Sequence, residues 1–484
     1  MESLEAFMRT ILLIIDHGLS LAYFLYTDLA KKMLEQGVRL VFLVQDEVLP
    51  KLCQDFKDVP NLVFESVREQ ELVKYQWGYH GRIQNLLEFV RGSVASPRIP
   101  LTYVDTHRQR KLRDTHSRIR AVMLLLQPVI YLLRVSALGR RLFMWLQNKL
   151  FTSDIYADIF EKYRPDLVLS GTAGWRNDRY LLREANRRGL KTGMFVIGWD
   201  NPSCNGLPGA HVQYANVWSQ IHIWELNAGL DWPKKDIHIG GMPLYDNYLS
   251  GKWLIPRAEY FKLHGLDPKK KLVVYVATAL SITPNLHIVK EMIDLVTGGQ
   301  LSVPAQLMIR LHPNHFKPVK HYQEEREAIY ALAKDHPEVV IVAPRALAGD
   351  LPRYSGEDFE EKASMLAHCD VMVSIYSTMV VEASLHDKPV VSACINHPTG
   401  WPNTFWVPLD TVPSWPTAKR VMACNASQVA YTPQELRQAL DAYLIDPALH
   451  AEGRRKFVEQ ELTFLKAGQA TQQTADYLLS LVRA

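Results

Sequence analysis

The 484-residue sequence lacks the short motifs that mark several large enzyme classes. It has no Gly-x-x-x-x-Gly-Lys-Ser/Thr loop and no Gly-x-Gly-x-x-Gly after its first apolar run, which argues against kinases, ATPases and dinucleotide oxidoreductases. The Gly-x-Ser-x-Gly elbow of the α/β-hydrolases is also missing. Asp-x-Asp does not occur, so the sequence predicts neither a bound metal nor a resident cofactor.

Cysteines and long apolar runs are scarce as well. No Cys-x-x-Cys pair is present, so the sequence signals neither a disulfide framework nor a zinc site. No stretch reaches the roughly 20 apolar residues of a spanning helix, and the run at Thr10–Ile15 is too short for a signal peptide. We therefore expect a cytoplasmic protein. The five cysteines are Cys53, Cys204, Cys369, Cys394 and Cys424.

Composition indicates a packed globular chain of two or three domains. Hydrophobic residues make up 48% of the sequence and charged residues 22%, which excludes a disordered chain, and the length exceeds what one core supports. The formal net charge is only +4. A general nucleic-acid binder spreads positive charge more widely, so no nucleic-acid partner is expected.

Positive charge is concentrated between Thr102 and Ser153. This window holds ten Lys/Arg against Asp105 and Asp114, a net +8, whereas the rest of the chain has 45 basic against 49 acidic residues, a net −4. The ten are Arg108, Arg110, Lys111, Arg113, Arg118, Arg120, Arg134, Arg140, Arg141 and Lys149.

An apolar run, Ala121–Leu133, lies inside the basic window. Basic and apolar stretches side by side are the composition of a segment lying in a membrane interface, so an anionic membrane surface is one expected partner of 108–150. The alternative is a core-facing helix, whose cations form a solvated face or bind an anionic acceptor.

The first half of the chain alternates apolar runs with helical stretches, which is the pattern of βαβ units. One helix is expected at Tyr23–Gln36 and another at Arg176–Arg188, and a long helical insertion near 70–150 separates the two series of strands. The expected strands are Thr10–Asp16, Arg39–Gln45, Asn61–Ser66, Pro165–Ser170, Lys191–Ile197, Asn216–Ser219 and Asp236–Ile239.

A second α/β series follows Gly240-Gly241-Met242-Pro243, a plausible domain boundary. The expected fold is α/β, with two Rossmann-like doubly wound domains, 1–243 and 244–484, facing across a cleft. The tail from Thr432 to Ala484 reads as helical and is assigned to the second domain. The strands of that domain are Lys271–Ala277, Gln306–Leu311, Val339–Val342, Asp370–Ser374 and Pro389–Ala393.

Two polar segments follow strands of the second domain, where an open parallel sheet presents side chains to a ligand. In the first, Arg310 and His312 can bind phosphate oxygens; a structural histidine is the alternative, and a metal pair lacks a third ligand. In the second, Ser377 and Thr378 stand where a helix begins and an anion meets free N–H groups. Ordinary helix capping is the competing interpretation.

Polar residues also close strands of the first domain. Asp16 and His17 follow the first strand, and His17 suits general-base chemistry because it titrates near neutral pH. Adjacent residues of an extended chain point opposite ways, so only one of the two needs to face the cleft. Asp200 and Asn201 close a later strand and are assigned to the acceptor side.

Together these segments resemble the GT-B glycosyltransferases. The series runs from Gly198-Trp-Asp-Asn201 and Val217-Trp-Ser219, through Ile239-Gly-Gly-Met-Pro243, to Arg310-Leu-His-Pro313 and Tyr376-Ser-Thr378 with Glu382. It is similar to bacterial surface-carbohydrate and capsule transferases and to CDP-glycerol glycerophosphotransferases. Ile375 stands where the glycerophosphotransferases usually have Asp, and Ser374 where one retaining GT-B family has Glu.

The resemblance implies metal-independent transfer of a sugar from a nucleotide-activated donor, UDP-linked in our expectation, to a surface-glycan or lipid-linked acceptor. His312 would stabilise the leaving diphosphate, and His17 or Asp16 would activate the acceptor hydroxyl. It also implies that Glu382 contacts the donor ribose. The donor-binding set is Thr278, Arg310, His312, Tyr376, Ser377, Thr378 and Glu382.

Three alternatives stay open. A UDP-sugar 2-epimerase would bind the same kind of donor without an acceptor, and a glycerophosphotransferase would move a different group. The third is a non-catalytic nucleotide- or glycan-binding scaffold, since fold does not establish activity. The expected location is the cytoplasm, with peripheral attachment to the inner face of the membrane.

Overall fold

A computed structural model describes residues 8–15, 18–280, 282–345, 356–398 and 407–483. The chain forms two compact units, residues 1–246 with 462–484, and residues 247–461. Each is built on one parallel sheet.

The first unit contains a seven-stranded sheet in the order β3-β2-β1-β4-β5-β6-β7. Its central strands are apolar on both faces because helices cover both sides of a parallel sheet. All six residues of β1 are buried, for example. The strands are β1 (Thr10–Ile15), β2 (Arg39–Val44), β3 (Leu62–Ser66), β4 (Leu167–Ser170), β5 (Lys191–Phe195), β6 (Tyr214–Val217) and β7 (Ile237–Ile239).

Thirteen helices accompany this sheet up to its last strand, within the described residues. Six of them, α4 to α9, fill the segment that the sequence marks as a helical insertion. The helices are α1 (Gly18–Leu25), α2 (Leu29–Glu35), α3 (Leu49–Asp55), α4 (Glu69–Trp77), α5 (Tyr79–Gly92), α6 (Thr102–Asp114), α7 (Ser117–Leu125), α8 (Gln127–Val135), α9 (Ala137–Leu150), α10 (Ala157–Tyr163), α11 (Asp178–Arg187), α12 (Asn201–Cys204) and α13 (Gln220–Leu230).

The second unit contains a six-stranded sheet in the order β10-β9-β8-β11-β12-β13. In both sheets the next two strands along the chain lie on one side of the first strand and all later strands lie on its other side. This reversal of the strand order is typical of doubly wound nucleotide-binding sheets. The predicted α/β class with two Rossmann-like domains is confirmed. The strands are β8 (Lys271–Val276), β9 (Ala305–Arg310), β10 (Val339–Val342), β11 (Val371–Ser374), β12 (Val390–Ala393) and β13 (Gln428–Ala430).

The remaining helices run from the unit boundary to the end of the described chain. They are α14 (Pro243–Ser250), α15 (Arg257–Leu263), α16 (Leu286–Thr297), α17 (Lys320–Ala333), α18 (Gly356–His368), α19 (Thr378–Leu385), α20 (Pro416–Ala423), α21 (Pro433–Ile445), α22 (Ala451–Glu461) and α23 (Gln469–Arg483).

One predicted helix, Tyr23–Gln36, is divided into α1 and α2. The hydroxyl of Thr27 donates to the carbonyl of Tyr23 at 2.7 Å and accepts from the N–H of Leu29 at 3.2 Å. A threonine side chain that bonds the backbone in this way competes with the helical ladder. The chain therefore turns at Thr27.

The assignment of the whole tail to the second domain is wrong for residues 462–484. Helix α23 belongs to the first unit, where the hydroxyl of Thr474 donates to the carbonyl of Gly240 at 3.2 Å. Gly241 has a φ of +81°, and a Cβ there would lie 2.8 Å from the Cβ of Ala470. The glycine pair thus makes room for the returning helix.

No single helix among the described residues is long and apolar enough to cross a membrane. Taken together, the two segments Ser117–Val135 and Ala137–Leu150 are long and apolar enough to do so, but the chain bends by 115° between them.

Candidate functional site

The reversal of strand order in the second sheet lies between β8 and β11. Loops after the two strands on either side of such a point diverge and leave a crevice for ligands. Thr278 follows β8, and Ser377 and Thr378 follow β11, so three of the predicted donor-binding residues flank this point. His312 follows β9, the next strand along the sheet.

Ser377 occupies the N-cap of α19, but its hydroxyl does not cap the helix. The Oγ atom is buried and has no hydrogen-bond partner among the described residues. A buried hydroxyl without a partner costs about 1–3 kcal/mol, and the first N–H groups of a helix also lack intrahelical partners. The end of α19 therefore offers donors suited to an anion.

His312 caps the short 3-10 helix Pro313–Phe316 through its imidazole. The Nδ1 atom accepts from the N–H of Asn314 at 3.1 Å. Burial, together with the nearby His315, Lys317 and Arg310, lowers the pKa of His312 to about 3. The neutral ring with Nδ1 as acceptor carries its hydrogen on Nε2, so it can donate one hydrogen bond to a ligand.

A buried network supports the positions of Thr278 and His312. The carboxylate of Glu325 accepts from the backbone N–H of Asn285 at 2.5 Å and contacts Nε2 of His315 at 2.7 Å. The ring of His315 in turn accepts from the backbone N–H of His312 at 3.1 Å. The amide oxygen of Asn285 accepts from the N–H of Thr278 at 2.8 Å.

Sequence reasoning missed Glu325 and Asn285 in this network. Glu325 stands in α17 among other charged residues, and no spacing distinguishes it from a solvated glutamate. Its carboxylate links the loops after β8 and β9, which only the tertiary structure reveals. His315 has a positioning role in this network, through its contacts with Glu325 and with the backbone of His312.

Arg310 is paired inside the second unit. Its guanidinium donates to Asp358 at 2.5 Å and to the carbonyl of Ala343 at 3.3 Å, and both charged side chains are buried. The guanidinium is therefore bound by groups of the protein, and its role in donor binding stays a prediction. Its positive charge still contributes to the low pKa of His312.

Tyr376 and Glu382 are also engaged inside the second unit. The Tyr376 hydroxyl pairs with that of Ser427 at 3.2 Å, and burial raises the tyrosine pKa above its ordinary value. The Glu382 carboxylate accepts from the hydroxyl of Tyr248 and from Lys362, each at 2.8 Å. Both side chains are buried.

The first unit has an equivalent reversal between β1 and β4. The predicted base residues Asp16 and His17 lie outside the described residues. Nearby, Ser20 of α1 is fully buried, and its hydroxyl has no partner among the described residues. A Cβ at Gly171, just after β4, would lie 2.2 Å from that hydroxyl oxygen, so a larger residue at 171 would displace it.

Asp200 and Asn201 lie one strand further along, where the loop after β5 meets α12. The side-chain oxygen of Asn201 accepts from the N–H of Gly198 at 3.0 Å and closes this loop. Burial and the adjacent Asp200 raise the pKa of Tyr103 well above its ordinary value. Asp200 therefore faces the helical insertion through α6, which carries Tyr103.

No group of three or more His, Cys, Asp or Glu suited to hold a metal ion occurs among the described residues. All five cysteines are free, and only Cys53 is exposed. The arrangement at the second sheet provides hydrogen-bond donors and a helix end.

No protein-family model and no curated protein sequence matches this chain. Solved structures do. The UDP-GlcNAc 2-epimerase of Neisseria meningitidis bound to UDP-GlcNAc is 11% identical, with 97% of this chain and 100% of that one covered and a TM-score of 0.54. The structure of S. aureus MnaA with UDP is 12% identical, with 99% of this chain and 98% of that one covered and a TM-score of 0.55.

The fold is GT-B. Both structures match this chain over nearly its full length, and both sheets have the doubly wound strand order that the sequence predicts. At such low identity the similarity establishes the architecture alone. A glycosyltransferase from Rickettsia africae is 8% identical and covers 99% of both chains, with a TM-score of 0.47.

Proposed function

We propose that this GT-B protein is a metal-independent glycosyltransferase that moves a sugar from a nucleotide-activated donor to a surface-glycan or lipid-linked acceptor. The observation that carries the proposal is the buried hydroxyl of Ser377 at the start of α19, which has no hydrogen-bond partner in the part of the chain that the structure describes. A donor diphosphate would supply the acceptor oxygen that this hydroxyl lacks. The UDP and UDP-GlcNAc of the similar structures support a UDP-linked donor.

In the proposed reaction, the bond between the anomeric carbon and the diphosphate oxygen breaks while the acceptor oxygen bonds to that carbon. Negative charge accumulates on the leaving diphosphate. Ser377, the free N–H groups of α19 and Nε2–H of His312 would meet this charge as preorganised donors. The acceptor hydroxyl would transfer its proton to His17 or Asp16.

Two variants test the donor site. His312→Ala and Ser377→Ala each remove one hydrogen bond to a charged group, which is worth about 1.5–3 kcal/mol. UDP affinity, measured by calorimetry, should fall at least about tenfold in each. The matched controls are His321→Ala and Ser480→Ala, which change exposed residues of the same types. Unchanged UDP affinity in both site variants would contradict the proposal.

Glu382→Ala is unsuitable for this purpose. Removing one partner of a buried ion pair costs about 3–5 kcal/mol because the other charge is left uncompensated. Lys362 would be that charge. Loss of activity in this variant would therefore report on folding before it reported on ribose binding.

An epimerase is the second candidate, favoured by the full-length similarity to two proteins that bind UDP or UDP-GlcNAc in their structures. Incubation with UDP-GlcNAc alone separates the two. An epimerase interconverts the C2 epimers without an acceptor, whereas a transferase leaves the nucleotide sugar unchanged until an acceptor is added. Nucleotide binding without either reaction would identify a scaffold.

A binding screen can identify the nucleotide base of the donor. A ligand that binds only the native state raises the melting temperature, so UDP, CDP, GDP and ADP can be compared at equal concentration. The proposal expects the largest increase with UDP. A preference for CDP would instead favour glycerophosphate transfer.

A further inference from the structure

Helices α7, α8 and α9 display apolar side chains to the outside. Of the 24 exposed large hydrophobic residues among those described, 13 lie in the 32 positions from 119 to 150. Single exposed apolar residues are normal on a protein surface, but a dense group marks an interaction site. The 13 are Ile119, Val122, Leu124, Leu125, Val129, Tyr131, Leu132, Val135, Leu138, Leu142, Trp145, Leu146 and Leu150.

Helix α9 buries polar residues and exposes apolar ones, which is the opposite of an ordinary surface helix. Its fully buried residues are polar, Arg140 at 3% exposure and Gln147 at 1%, and Arg140 donates to Asp231 at 2.6 Å. Its outward face is apolar, with Leu138 at 77% and Trp145 at 53% exposure. A helix packed against its own core shows the opposite pattern, so the partner of this face lies outside the unit.

The charge around this surface has one sign. Residues 115–153 contain six Lys/Arg and no Asp or Glu. Arg134 and Arg140 are directed inward, to Asp105 and Asp231. The four others, which are exposed, are Arg118, Arg120, Arg141 and Lys149.

Lys149 also stacks on an exposed aromatic ring. Its ammonium lies 5.0 Å from the ring centroid of Trp145. Tryptophan and lysine together are characteristic of the boundary between acyl chains and headgroups, where an apolar body and a polar tip are both accommodated.

We propose that α7, α8 and α9 form a docking surface for an anionic lipid bilayer and lie in its interface. Acyl chains would cover the apolar face, and anionic headgroups would meet the exposed cations. A second copy of the chain would place like charges opposite each other, which is unfavourable. The 115° bend between α8 and α9 fits a segment lying in the interface.

The test uses the full chain and sedimenting vesicles of phosphatidylcholine alone or with phosphatidylglycerol. The apolar variant carries Leu142→Ser, Trp145→Ser and Leu146→Ser. The charge variant carries Arg118→Gln, Arg141→Gln and Lys149→Gln. The control variant changes exposed residues of the second unit and carries Leu263→Ser, Lys320→Gln and Lys334→Gln.

The wild type and the control should bind the anionic vesicles and bind much less at high salt. The charge variant should bind roughly 100-fold more weakly, since each cation near an anionic leaflet contributes about 1 kcal/mol. The apolar variant should also lose binding. Brominated acyl chains should quench part of the tryptophan fluorescence of the wild type, and a Trp145→Phe variant should lose that part.

Several results would overturn the proposal. They are absent vesicle binding, equal binding to neutral and anionic vesicles, or full binding by the apolar variant. Light scattering supplies another: a wild-type dimer that the apolar variant dissociates would make the surface a contact between copies. None of these results depends on turnover, so the docking surface and the proposed transferase activity can fail independently.

Discussion

At the scale of single residues, two histidines three positions apart have different roles because their neighbours differ. Nε2 of His315 contacts Glu325 at 2.7 Å, and the imidazole is fully enclosed. Nδ1 of His312 accepts from the N–H of Asn314, and in our proposal the Nε2–H of this ring meets the ligand. The sequence analysis assigns donor binding to His312, and the tertiary contacts show that His315 is held by Glu325.

Glu325 should act as a positioning residue. Glu325→Ala removes the acceptor for Asn285 and the partner of His315, and buried groups left unsatisfied cost about 1–3 kcal/mol. We expect reduced stability in urea and weaker UDP binding because the loops after β8 and β9 lose their connection. Glu324→Ala, on the exposed neighbour in the same helix, is the control. Wild-type UDP affinity in the Glu325 variant would refute this role.

Glu88 should make the first unit sensitive to acid. Burial disfavours its ionised form, but Arg91, Arg179 and Arg183 outweigh burial and hold the pKa below its ordinary value. A lowered folded-state pKa contributes stability above the unfolded pKa, about 4.3 for Glu, and that contribution is lost as pH falls through the folded pKa.

Glu88→Gln should therefore cost about 3–5 kcal/mol at pH 7, because it leaves buried guanidinium groups uncompensated. The difference from the wild type should shrink as the pH falls below the unfolded pKa of Glu, about 4.3. Denaturation curves at pH 7 and at pH 3.5 measure both effects. A difference that is the same at the two pH values would contradict this account.

At the scale of elements, the terminal helix α23 shows how an amphipathic segment finds its partner. It buries Ala475, Leu478 and Val482 and leaves Ser480 in solvent. The same pattern would suit packing against either unit. The glycines at 240 and 241 favour packing against the first unit, because they allow the helix backbone to come close to the end of β7.

Leu478→Ala should destabilise the first unit, although this residue is more than 230 positions after Asp246, where the long N-terminal segment of that unit ends. Truncation of a buried leucine costs about 2–5 kcal/mol. Amide hydrogen exchange, measured at stepwise increasing urea concentrations, should be faster in β6 and β7 of the variant than in the wild type. Ser480→Ala is the matched control, and unchanged exchange in the first unit would contradict the assignment of α23.

At the scale of the whole molecule, the two units repeat one strand order, and the proposed donor residues all belong to the second. A chain limited to residues 247–461 should therefore bind UDP in calorimetry, and the first unit should not. Binding that requires only residues before 240 would overturn this division.

Turnover should survive EDTA, because the proposed donor site meets phosphate charge with hydroxyl, imidazole and helix N–H groups. The activity of the full chain with and without chelator measures this directly. Loss of turnover on chelation, with recovery on addition of magnesium or manganese, would count against the proposed mechanism.

The sequence alone determined the parallel α/β architecture, since continuous apolar runs that alternate with helical stretches are typical of strands covered by helices on both faces. Most strands lie within a residue or two of their expected bounds, although β13 has only three residues and gave no signal. The sequence also located the ends of β8, β9 and β11, because a polar group directly after an apolar run marks where a strand leaves the sheet.

Only the tertiary structure decided what each polar side chain contacts. Arg310, Tyr376 and Glu382 lie close to the expected site in sequence, yet each is paired inside the second unit with Asp358, Ser427 or Lys362. Those partners are 20 to 51 positions away, and no local pattern predicts them. The exposure of α9 could not be predicted either, because an apolar helix with a few basic residues has the same sequence pattern whether its leucines face a core or face outward.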